Sequence, residues 1–232
     1  MQSLYLRATG ALSRCFTRWS LLVLFPILPG CASYHAMPFV GQGSASTIVE
    51  HRNREGLHVA VRNLTKTRVA IKHFGRDLMQ YGYVPVMLLV ELDATSDSAF
   101  NVRRDEIRLV LRDGTRLKTS NPETVAEEVA YSHWRSFFGF LLLLPGPFVS
   151  SSVNSANQDL EEDYTKKSLR SVRISPNMRS FEGAVFFALA DDVIEDFTME
   201  DAFLEFVAYK EASRSTGSDL GKRLDFPVHF FE

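Results

Sequence analysis

A mainly β, two-sheet sandwich with one helical insert is the fold class the sequence predicts, on three observations. Short apolar runs of period two recur across 57–231, turn residues separate them, and one helix-patterned stretch interrupts them at about 120–169. With 232 residues, 45% hydrophobic and 23% charged, the chain has apolar material for one sizeable core. Its 18 phenylalanines fall mostly in short runs with valine and leucine, which suits pleated, half-buried surfaces. The expected division is a leader over 1–30, a tether over 31–55 and a sandwich domain over 56–232.

Taking the elements in order, Leu57, Val59 and Val61 alternate with His58, Ala60 and Arg62 as a first strand, and 68–74 reads as a second after a polar break. Residues 76–81 read as one or two helical turns stopped by Gly82. The nearly continuous apolar run 83–93 predicts a buried strand with Pro85 near its beginning. Ile107, Leu109 and Leu111 share a face, Asp113-Gly114 makes a turn and 115–118 returns, the strongest hairpin signal in the chain. Strands resume at 172–174, 183–190, 202–209 and 224–231. With no helix between most of them, a doubly wound α/β sheet is disfavoured.

Within the insert, Ser120 and Glu123 have capping-box spacing with Pro122 in the first turn, so a helix should run through Val125 and Val129 toward Trp134. A second helix is expected over about 155–168. Leu160 and Tyr164 share one face, acids lead, Lys166 and Lys167 close it, and Glu162–Lys166 and Asp163–Lys167 have i,i+4 spacing. Between the helices lies FFGFLLLLPGPFV, residues 137–149, too short to span a bilayer and broken by Pro145, Gly146 and Pro147. Burial against the sandwich is the plain expectation for it. Alternatively Phe137, Phe138, Phe140, Leu141, Leu143 and Phe148 form an interaction surface for a bilayer interface or a partner.

The N-terminus has a different grammar. Arg7, Arg14 and Arg18 are the only charged residues before the apolar run Leu21–Leu28, LLVLFPIL, which leads to Pro29, Gly30 and Cys31. This is the layout of a signal peptide. Leu28, Pro29, Gly30 and Cys31 resemble the bacterial lipobox, with Pro29 in place of the usual small residue. The resemblance implies cleavage before Cys31 and acylation of its sulfur, and the Ala32-Ser33 start then implies outer-membrane sorting. Processing would remove Cys15 and consume Cys31, leaving no thiol for a disulfide. Loss of three arginines and no acid would take the formal charge from -2 to -5. The mature domain is thus mildly acidic and would not be drawn electrostatically to anionic lipid, so lipid would have to do the anchoring. Residues 32–47, rich in Ser, Gly and Ala, read as the tether. Gly41, Gly43 and Ser44 lack the preceding strand and the Lys-Ser/Thr pair of a phosphate loop.

Enzymatic and metal chemistry find little support. No two of His35, His51, His58, His73, His133 and His229 stand at i+2 to i+5, the local spacing of zinc ligands, so no metal and no cofactor is expected. The acids Asp191, Asp192, Glu195, Asp196, Glu200 and Asp201 lack the ligand alternation and glycine of an EF-hand and read as a solvated loop. Gly-x-Ser-x-Gly does not occur. No basic face suggests nucleic acid. Arg76 and Asp77 form a possible recognition group, although capping of the short helix and local pairing is the simpler reading.

FGRDLMQYGYVPVMLLVEL, ANQDLEEDYTKKSL and the pairing of ISPN with FEGAVFFAL resemble a group of Gram-negative envelope lipoproteins of uncharacterised function. The second half is also similar to the immunoglobulin-like domains of secreted bacterial lipoproteins. The resemblance implies an immunoglobulin-like sandwich facing the periplasm and brings no catalytic residues. The functional expectation is a lipid-anchored, non-enzymatic interaction or structural module, its partners the membrane and an unidentified envelope protein. The rival expectation is a carrier of a small apolar ligand or lipid, with 137–149 in its pocket.

Overall fold

The computed structural model describes residues 34–39, 45, 48, 50–131, 146–194, 197–211 and 221–230; the side chains of 146–152 and 201 lie outside that description. In chain order the strands are β1 (His51–Arg54), β2 (Leu57–Asn63), β3 (Tyr83–Leu92), β4 (Phe100–Val102), β5 (Arg108–Val110), β6 (Arg116–Lys118), β7 (Val172–Ile174), β8 (Ser180–Ala188), β9 (Phe203–Lys210) and β10 (Lys222–His229). The helices are α1 (Thr67–Phe74), α2 (Pro122–Glu128) and α3 (Gly146–Lys167). The chain divides into two units, one of residues 1–33 and 132–153, the other of 34–131 and 154–232. Of the first, only 146–153, the opening turns of α3, are described.

The second unit is the mainly β, two-sheet sandwich with a helical insert that the strand pattern predicts. One antiparallel sheet has the order β1-β2-β3-β8; the other has β6-β5-β9-β4-β7, with β10 along the remaining edge of β9. Period-two alternation sorts the side chains between layers. From β3, Val84, Val86, Leu88, Val90 and Leu92 enter the core between the sheets, where they meet Phe100, Leu109, Ile174, Leu204, Phe206 and Phe226 of the facing sheet. The alternate residues Tyr83 and Met87, with Ala184 and Phe186 of β8, point the other way and are covered by α1, α2 and α3 through Phe74, Val125, Leu160 and Tyr164. β3 is therefore buried on both faces, which is why it reads as a continuous apolar run rather than an alternating one. Pro85 is tolerated because β2 ends at Asn63, and the chain turning away there still donates Leu64 N–H to the Pro85 carbonyl at 3.2 Å.

Both ends of the insert are stitched to the free edge of β8. Ser120 N–H donates to the Phe186 carbonyl and Leu169 N–H to the Ala184 carbonyl, each at 2.7 Å. The insert thus leaves and rejoins the sheet two residues apart and caps an edge that would otherwise offer unpaired backbone. The Asp113-Gly114 hairpin forms between β5 and β6, with Gly114 at φ 86° and Thr115 N–H bonded to the Asp113 carboxylate at 2.8 Å. As expected, α3 buries Leu160 and Tyr164 and carries the Glu162–Lys166 and Asp163–Lys167 pairs, both at 2.6 Å.

Five expectations are corrected. The helix α3 begins at Gly146 rather than near 155, so Gly146 and Pro147 lie in its first turn, and α2 ends at Glu128 instead of continuing toward Trp134. Residues 68–74 form a helix, not a strand: Ala70 and Phe74, four apart, are its buried face, and Gly75 at φ 68° ends it with N–H bonded to the Ile71 carbonyl. The helix after residue 120 is N-capped by Asn121 rather than Ser120, whose backbone is engaged by β8. The stretch expected as a tether over 31–55 carries structure in its described part. His51–Arg54 pairs with β2, Ala45 and Ile48 are buried against Ala60 and Leu89, and Tyr34 and Phe39 pack on the helical layer.

Candidate functional site

The predicted group at 76–77 lies between α1 and a short 3₁₀ turn, Leu78–Tyr81. Its two side chains go different ways. The Arg76 guanidinium sits 3.7 Å from the centroid of the Tyr131 ring, a cation–π contact. The Asp77 carboxylate is buried and accepts from the Thr67 hydroxyl at 2.8 Å and the Gln80 amide at 3.3 Å, tying the start of α1 to the turn. Both residues organise the helical layer, and Asp77 does so without a side-chain cap bond to the turn.

Beside them is a clamp that sequence reasoning missed. Residues 34–39 run across α1 and α3 as a strap. Met37 N–H donates to the Lys72 carbonyl at 2.8 Å, and the Tyr34 hydroxyl donates to Asp163 at 2.5 Å. Phe39 meets Phe74 edge to face with centroids 6.0 Å apart, and Phe74, Tyr164 and Phe186 continue the aromatic stack inward at 5.4–5.7 Å spacings. Lys167, 7% exposed, completes the clamp, its ammonium donating to Asp163 at 2.6 Å and to the His73 carbonyl at 2.5 Å. Burial raises the Tyr34 hydroxyl pKa, and the hydrogen bond to the Asp163 carboxylate raises it further. Burial lowers Lys167, opposed by Asp163, and lowers His73. The only hint in the sequence was two aromatic residues in otherwise small and polar text.

A second candidate is the outer face of the six-stranded sheet, where a groove of about 660 Å³ runs over β9 and β10. Phe203, Val207, Tyr209 and Pro227 contribute apolar surface. Its rim carries ion pairs, Arg116–Glu205 at 3.1 Å and Arg223–Asp225 at 2.9 Å, and the Tyr209 hydroxyl donates to Glu106. Such exposed pairs contribute little to stability, about 0–1 kcal/mol each, and are free to exchange for charges on a partner.

The remaining predicted positions, Cys31, Phe137, Phe138, Phe140, Leu141 and Leu143, lie outside the described residues; Phe148 falls within α3, its side chain undescribed. Among the described residues, no helix is long and apolar enough to cross a membrane, and no cluster of three or more His, Cys, Asp or Glu could hold a metal ion. Of the acidic loop, Asp191 and Asp192 are exposed. No protein-family profile and no curated protein matches the chain.

Proposed function

We propose that this protein is a lipid-anchored component of a Gram-negative cell envelope, sorted to the outer membrane and facing the periplasm, where it acts as a non-enzymatic interaction or structural module. The observation that carries the reading is the N-terminal sequence: three arginines without an acid, the apolar run Leu21–Leu28, then Cys31. Support for an interaction role comes from the open groove over β9 and β10. Its apolar surface and exchangeable ion pairs suit a polar protein partner better than a small buried ligand.

The test is intact-mass analysis of membrane-fraction protein, wild type beside Cys31→Ala. An N-terminus at Cys31 with added acyl mass, absent from the variant, is the expected result; an unmodified chain overturns the anchor. Charge reversal at Arg116 should then weaken partner binding without unfolding the domain. The second reading, a carrier of a small apolar ligand or lipid, draws on the run FFGFLLLLPGPFV at 137–149. It predicts extractable lipid copurifying with the protein, lost when Leu141 and Leu143 become Asp.

A further inference from the structure

We infer that the strap and the outer face of α1 form a docking surface for an anionic lipid bilayer, so that the anchored domain sits on the membrane in one orientation, helical layer inward. The inference rests on acylation of Cys31. Only two residues separate that cysteine from Tyr34, and Tyr34 is fixed by its bond to Asp163 and by its ring against Gly75. Three residue steps reach at most about 11 Å of extended chain. A domain held so close to its lipid cannot tumble freely above a bilayer, and the surface around Tyr34 is the part presented to it.

That surface has the chemistry of an interfacial patch. Met37 and Ile71 are 56% and 47% exposed, two of the four large hydrophobic side chains so exposed among the described residues, and the Met37–Lys72 backbone bond sets Met37 beside the last turn of α1. Arg68, one turn before Ile71, and Lys72, next to it, are exposed on the same side of α1. From 66 to 76 the chain holds no acid, Arg76 being engaged on the Tyr131 ring, and 34–39 carries neither Lys, Arg, Asp nor Glu. The α1 side of that surface thus carries exposed cations, while α3, which the strap also crosses, carries exposed Asp159, Glu161 and Glu162, so the α1 side is the part that meets anionic lipid. Apolar side chains in the headgroup region and flanking Lys and Arg on anionic phosphates are the two contributions that hold interfacial segments.

The experiment uses full-length, membrane-extracted protein carrying an environment-sensitive fluorophore at Ile71→Cys, with Met178→Cys as control. Met178 is also exposed, at 41%, but lies by the Leu92 end of β3, away from the α1 end. Each is reconstituted on vesicles of phosphatidylethanolamine with phosphatidylglycerol, or of phosphatidylcholine alone, and Cys31 acylation is read from intact mass on the same sample. The expected result is a blue-shifted probe at 71 but not at 178, strongest with phosphatidylglycerol and lost in Arg68→Glu/Lys72→Glu. Acylated protein in which both probes stay equally aqueous overturns the docking surface and leaves the anchor standing. Protein without acyl mass overturns the anchor, and the docking inference with it.

Discussion

Gly183→Ala should destabilise the domain out of proportion to the one methyl group it adds. Gly183 lies in β8 opposite Leu88, where the chain returns from the insert along the strand edge. A Cβ built there would stand 2.8 Å from both the Cα and the N of Leu169 and 3.3 Å from its Cβ. Carbon atoms pack at about 3.5–4.0 Å, so the two backbones would have to part by roughly 0.7 Å or more, and no rotamer change can relieve contacts to main chain. Overpacking of this kind costs about 1–3 kcal/mol, and weakening the Leu169–Ala184 backbone bond adds about 1 kcal/mol. At about 2–4 °C per kcal/mol for a domain of this size, the melting temperature should fall by on the order of 10 °C. Urea unfolding should show the loss as a lower midpoint at unchanged slope. Gly114→Ala is the control: among the described residues nothing lies within 4 Å of its Cβ position, and the variant should lose only the roughly 1–2 kcal/mol owed to φ 86°. A Gly183→Ala protein within about 0.5 kcal/mol of wild type would refute the close approach, and with it the stitching of the insert to β8.

Three further outcomes follow from named contacts. Glu55, in the β1–β2 turn, accepts from Lys210 of β9 at 2.8 Å and from Lys222 of β10, joining the two sheets, and these lysines hold its carboxyl down at about 2 against an ordinary 4.5. Between those values the unfolded chain binds the extra proton, so this contribution is whole above pH 4.5 and lost as pH falls toward 2; Glu55→Gln should flatten acid destabilisation measured by urea midpoints across that window. Lys167→Met should cost about 1–3 kcal/mol by leaving Asp163 and the His73 carbonyl without their buried donor, and combined with Tyr34→Phe the losses should be non-additive in a double-mutant cycle. Arg76→Ala should cost only about 0.5–1 kcal/mol, the worth of its stack on Tyr131, and a larger effect on partner binding than on stability would restore it as a recognition residue.

What the sequence disclosed is what local spacing encodes. The Asp113-Gly114 turn, the β10 alternation that buries Leu224, Phe226 and Val228, and the i,i+4 pairs of α3 each lie within one element, where period and neighbour chemistry coincide. In α1 two local signals conflict. Val69 and Ile71 carry the β-branched signature of a strand, while Ala70 and Phe74 with Gly75 carry the helical one, and packing of Phe74 against Tyr164 and Phe186 decides for the helix. β1 and β4 are short, three or four residues each, and too brief for a period to show. The candidate sites are harder still, because their partners meet only in the folded chain. Tyr34 finds Asp163 across 129 positions, and Arg116 finds Glu205 across 89. Neither residue is unusual where it stands in the text. The strap shows the consequence: a small, polar stretch becomes structure once the aromatic pocket of α1, α3 and β8 exists to receive Phe39. Its order depends on the helical layer rather than on its own propensity, so loosening that layer, as Lys167→Met should, would lengthen the tether as well as lower stability.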